Sequence, residues 1–162
     1  MTRKVSFSAI IQRDARILIL GSLPGEASLA AAQYYAHPRN HFWRLIGAVV
    51  GDDLAGLTYT ERLAALTRHR VGLWDAVATA QRRGSLDSAI REPVANQLRS
   101  LVLAQADLRV VACNGQTAAR IATRELAGSG VPVIALPSSS PAHAAMPWSE
   151  KERRWLELRK FL

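Results

Sequence analysis

The chain holds a single cysteine, Cys113. No intrachain disulfide can form, and four-cysteine zinc or iron–sulfur sites are excluded. The four histidines, His37, His41, His69 and His143, form no ligand-spaced pair with a carboxylate, so neither a metal nor another cofactor is expected. Long apolar runs are missing too, which argues against a membrane span. No signal-type apolar segment follows Met1-Thr2-Arg3-Lys4, so a cytoplasmic protein is the expectation. Carboxylates are in short supply: 13 Asp and Glu stand against 21 Lys and Arg, a net charge of +8. That imbalance favours a polyanionic partner, most simply nucleic acid. A basic surface kept for solubility is the plain alternative. Two nucleotide or acyl-transfer signatures are also absent. The glycine turn at Gly21–Gly25 has no Gly-Lys-Ser/Thr ending, and it is not a Gly-x-Ser-x-Gly elbow.

What is present is a well-filled chain of 162 residues, 49% hydrophobic. It reads as one domain over 1–162 with a proper core, expected to act as a monomer. Short apolar runs alternate with helical patterns. Strands are expected at Arg16–Leu20, Val71–Val77, Leu108–Cys113 and Val131–Leu136, with Val5–Ile11 as an edge. Helices are expected over Ala27–Gln33, from Phe42 through Val49, behind a Thr58/Glu61 capping box, over Val94–Leu103, from Thr117 through Leu126, and behind a Ser149/Glu152 capping box. In the last helix Trp155 is expected to face inward and Lys151 outward. This pattern predicts an α/β fold, a three-layer sandwich around a mostly parallel four-stranded sheet. Four strand ends would then share one edge: Gly21–Gly25, Asp75, Asn114–Gln116 and Pro137–His143. Open α/β sheets place ligands at that edge.

The segment Tyr34–Trp43 is chemically dense. It packs two tyrosines, two histidines, an arginine, an asparagine, a phenylalanine and a tryptophan into ten positions. Aromatic faces beside a cation suit a base and a phosphate. A packed loop whose polar groups satisfy one another is the structural alternative. Asn40 is also a good N-cap for the helix behind it.

At the four strand ends the sequence resembles the uracil-DNA glycosylase superfamily. Gly21-Ser22-Leu23-Pro24-Gly25 is similar to its first motif. Tyr35-Ala36-His37-Pro38-Arg39-Asn40-His41-Phe42-Trp43-Arg44 is similar to the aromatic, His-Pro, Asn and Phe-Trp-Lys pattern of the mismatch-specific branch. Leu73-Trp74-Asp75-Ala76 sits where the superfamily has a strand ending in Asn-Ala. Leu136-Pro137-Ser138-Ser139-Ser140-Pro141 sits where it has His-Pro-Ser or Asn-Pro-Ser. Leu23 departs from the pattern, since that position usually offers Asp or Asn to the attacking water, and Leu136 stands where some branches carry a catalytic histidine. The combination is most similar to the hypoxanthine-DNA glycosylase branch.

The resemblance implies a monofunctional DNA glycosylase with Asn40 as the catalytic residue. It implies Tyr35 as the stacking face and Asp75 as reader of the base edge, with Ser22 and Asn114 completing the base site. An ionised Asp75 accepts hydrogen bonds only, so it welcomes N1–H of hypoxanthine and repels N1 of adenine. Uracil N3–H satisfies it equally, and a structural Asp at a strand end is the alternative reading. Arg39, Arg82 and Arg83 are expected on phosphates, as are Ser138, Ser139 and Ser140, and His143 is expected on DNA or the leaving base. The implied partner is double- or single-stranded DNA carrying a deaminated base. A uracil or mismatch glycosylase is the competing activity, and a non-catalytic nucleic-acid-binding module of the same fold is the competing class.

Overall fold

The computed structural model describes residues 3–162. Its elements are β1 (Arg3–Val5), β2 (Ile17–Gly21), α1 (Glu26–Ala31), α2 (Phe42–Val50), α3 (Tyr59–Arg68), β3 (Val71–Asp75), β4 (Val77–Gln81), β5 (Arg91–Ala95), α4 (Leu98–Leu103), β6 (Val110–Asn114), α5 (Gln116–Glu125), β7 (Val133–Leu136) and α6 (Trp148–Leu156). Short 3₁₀ turns at Asp87–Ala89 and Glu157–Phe161 complete the list. No helix is long and apolar enough to cross a membrane among the described residues.

The central sheet is parallel, in the order β3-β2-β6-β7. Strand β2 carries the packing. Its side chains alternate between faces, as a strand requires. Ile17 and Ile19 pack with the aromatic and aliphatic residues of α2, α3 and α6, while Leu18 and Leu20 pack with α4 and α5. All four are fully buried, and burial of each such side chain stabilises the fold by about 1.5–3 kcal/mol. Layering helices on both faces explains why the strand reads as an unbroken apolar run.

Three expectations change. Val71–Val77 is two strands, not one. The chain turns at Ala76, whose N–H donates to Gly21 O at 2.8 Å, and β4 leaves to form a second sheet, antiparallel, in the order β1-β4-β5. The expected helix over Val94–Leu103 begins only at Leu98, because Val94 pairs with Thr79 in that second sheet. The Ser149/Glu152 capping box is not formed. Helix α6 starts two residues earlier, at Trp148, without a side-chain cap. The Thr58/Glu61 box is present with both of its hydrogen bonds.

Candidate functional site

Sheet register builds the site. Gly21 pairs with Asp75, Leu20 with Cys113 and Asn114 with Leu136, so the carboxyl ends of the four strands lie level. Above them sits a cavity of about 300 Å³. Its wall is the glycine turn, Tyr35, His37, Asn40, Asp75, Asn114, the Pro137–His143 loop and the 3₁₀ turn at Asp87.

Asp75 is 3% exposed, and its Oδ2 has no hydrogen-bond partner among the described residues. Burial, reinforced by the Asp87 carboxylate and opposed by the Arg82 guanidinium, lifts its pKa from 3.8 to about 7. The expectation of a simply ionised carboxylate therefore changes: Asp75 titrates across neutral pH. Gly21 makes room for it. A Cβ at that position would lie 2.7 Å from Asp75 Oδ1 and 3.0 Å from the Tyr35 hydroxyl, so only glycine allows both groups to approach the strand end.

Tyr35 occupies the left-handed region at φ 54°, a strain that tends to gather at functional positions. Its ring stacks on Phe42 with centroids 3.9 Å apart. Phe42 fills one face, so a base can stack only on the other. Tyr34 is a core residue: it is 3% exposed and its hydroxyl donates to Ser8 O at 3.1 Å.

Asn40 both lines the cavity and organises α2. Its Oδ1 accepts from Phe42 N at 2.9 Å, while the N-cap position itself falls to His41. Ser22 Oγ donates to Asp87 Oδ1 at 2.6 Å, a short charge-assisted bond. Sequence reasoning missed Asp87, because the turn that carries it is delivered by the unforeseen β4–β5 hairpin. It also missed His37, whose Nδ1 accepts from Arg39 N at 3.1 Å.

Three expected contacts take other roles. Arg82 is 1% exposed, and all three of its guanidinium nitrogens are spent on main-chain carbonyls rather than on a phosphate. Its guanidinium donates to the carbonyls of Leu23, Pro24 and Gly84, clamping the glycine turn from behind. Ser139 is likewise buried, at 1% exposure. Its Oγ and N–H are held by the two ends of the Asn114 amide, each at 2.8 Å, so Asn114 spends its amide on the loop rather than on a base. Leu23 packs into a small apolar cluster with Val77 and Ala80. Arg39 and Arg83 are exposed, and Ser138, Ser140 and His143 are half-buried along the rim.

The chain resembles known proteins along nearly its whole length. The model of the uracil DNA glycosylase superfamily matches residues 9–159. A protein named hypoxanthine DNA glycosylase from Methanosarcina acetivorans is 37% identical over 152 residues, covering 94% of this chain and 95% of its own. One of the same name from Methanosarcina barkeri is 42% identical over 114 residues, covering 70% of this chain and 72% of its own. A solution NMR structure from Methanosarcina acetivorans, described as a candidate uracil DNA glycosylase, superposes with a TM-score of 0.89 at 35% identity and covers 99% of both chains. With the family model spanning almost all of the sequence and the strand-end cavity formed by its motif positions, the chain belongs to the uracil DNA glycosylase superfamily.

Proposed function

We propose that this chain is a monofunctional DNA glycosylase that draws a deaminated base, hypoxanthine first, out of the DNA stack and hydrolyses its N-glycosidic bond, leaving an abasic site. It acts as a monomer. The observation that carries the reading is the buried, unpartnered Asp75 carboxyl on the floor of a base-sized cavity. Its ionised form accepts N1–H of hypoxanthine and offers nothing to N1 of adenine. The flipped base stacks on the open face of Tyr35.

Departure of the base leaves an oxocarbenium-like sugar and negative charge on the leaving purine. Trans peptide geometry sets the N–H of each unit opposite its carbonyl. With Pro24 O held by Arg82, Gly25 N–H is turned away from the guanidinium, and such backbone donors stabilise developing charge. Asn40 positions the attacking water, a role for one polar group worth roughly 10²–10⁴ in rate. Leu23, packed in its apolar cluster, takes no part. Leu86 stands 55% exposed at the mouth of the cavity and supplies an apolar wedge for the vacated stack.

Incubation with duplexes holding one hypoxanthine, uracil, xanthine or adenine tests the reading, with free base and abasic sites as products. Hypoxanthine should be released fastest and adenine not at all. Preferential release of uracil would make the chain a uracil glycosylase instead, since uracil N3–H also meets Asp75.

A further inference from the structure

A second concavity, of about 930 Å³, adjoins the base cavity and shares His37, Asn40, Ser140 and His143 with its wall. Its lining includes Arg39, Arg44, Arg62 and Lys151 and no carboxylate. Two helices start against it: His41, Trp43 and Arg44 come from the first turn of α2, and Pro147, Trp148 and Lys151 from that of α6. Each helix has nine residues. In α2 only Phe42 N is capped by a side chain, and in α6 the first turn has no side-chain cap. The N–H groups of Trp43, Arg44, Trp148 and Ser149 thus have no acceptor among the described residues, and both helix dipoles present their positive ends.

Side chains in the same wall point to the same missing partner. Lys151 is 2% exposed, yet among the described residues its ammonium has a single hydrogen bond, to His143 O at 2.9 Å, and no carboxylate in ion-pair range. Trp43 is 4% exposed and its Nε1 has no acceptor. Arg44 is held with its guanidinium 3.9 Å over the Trp148 ring, which meets His41 edge-on at 5.1 Å, and it too lacks a carboxylate partner. Glu150, in the first turn of α6, is exposed and lies outside the lining. Buried cations ordinarily carry a counter-charge. This groove collects cations and free donors around a concavity lined by no carboxylate.

We propose that the α2–α6 groove is a phosphodiester subsite, which seats the backbone of the damaged strand next to the flipped nucleotide with Lys151 and Arg44 as its anion-binding groups. The inference rests on the glycosylase reading, because the wall shared with the base cavity is what assigns the anion to the substrate strand. It extends the footprint by about one nucleotide beyond the base pocket, on the side bounded by Asn40 and His143.

A double-mutant cycle between protein and DNA tests it. Binding is measured at fixed salt for duplexes holding a non-hydrolysable 2′-fluoro-deoxyinosine, with single phosphates on either side of the lesion replaced in turn by neutral methylphosphonate. One flanking replacement should weaken binding to the wild type about tenfold, as loss of a charge-assisted hydrogen bond does. R44Q should weaken binding by a similar factor on native DNA and show no further loss at that one phosphate. K151Q should behave alike, and R44Q, at an exposed position, carries the test if K151Q does not fold. Losses that multiply independently at every flanking phosphate, with base release intact, would overturn the subsite alone. Absence of base release from every damaged duplex would overturn the glycosylase reading beneath it.

Discussion

Asn40 accepts from Phe42 N and, on the proposed reading, also positions water, and the two roles separate experimentally. Asn40→Ala removes the acceptor for Phe42 N and should cost about 1 kcal/mol of stability. Base release should fall far more, by roughly 10²–10⁴. Asn40→Asp keeps the acceptor and should restore the melting temperature. A rate that merely follows stability across the two variants would contradict a role in positioning water. Asp75 makes a different prediction. Its folded pKa, about 7, lies above the 3.8 of an ordinary aspartate, so between those values the native state holds a proton that the unfolded chain has released. Stability from this group therefore falls as pH rises through that window and levels off above it. Base reading has the opposite trend, since only the ionised form repels adenine N1. Hypoxanthine release relative to adenine should rise with pH through about 7. Asp75→Asn should flatten both profiles, as melting curves and single-turnover rates taken from pH 5 to 9 would show.

At the scale of elements, the legible parts were those fixed by local pattern. Ile17–Gly21 announced itself by its apolar run and closing glycine, and the Thr58/Glu61 box formed as written. The β4–β5 hairpin did not announce itself, because its pairing joins residues with no local signal. Val94, Leu98, Leu101 and Val102 have helical spacing, yet Val94 pairs across to Thr79. That hidden hairpin brings Leu86 and Asp87 to the cavity and buries Arg82. Lys151 was misplaced for a related reason: a helix wheel turns it outward, but the His143 loop folds over it. Arg82→Gln should destabilise the protein by about 3 kcal/mol, as loss of a buried, multiply bonded charge does, with an unchanged salt dependence of DNA binding. A salt slope reduced by about one unit would instead return Arg82 to a phosphate. Leu86→Ala should leave the melting temperature alone, since the side chain is 55% exposed. It should weaken binding to lesion DNA several-fold more than binding to undamaged DNA, by competition titration.

For the whole molecule, charge and architecture agree. A net charge of +8 suits a chain whose ligand is a polyanion, and the parallel sheet gathers the motif positions at one edge. Charge alone did not say which arginines face outward; packing decided that, keeping Arg39, Arg44 and Arg83 at the surface and sending Arg82 beneath the turn. The central claim is that this one cavity excises hypoxanthine with Asn40 at the reacting face. It is tested most directly by single-turnover release of free base from a hypoxanthine duplex, wild type and Asn40→Ala side by side, with DNA binding measured in parallel. The wild type should release the base rapidly and the variant should lose roughly 10²–10⁴ in rate, with binding retained. Tight binding by both proteins without release from hypoxanthine, uracil or xanthine would contradict it, and would leave a DNA-binding module built on a glycosylase fold.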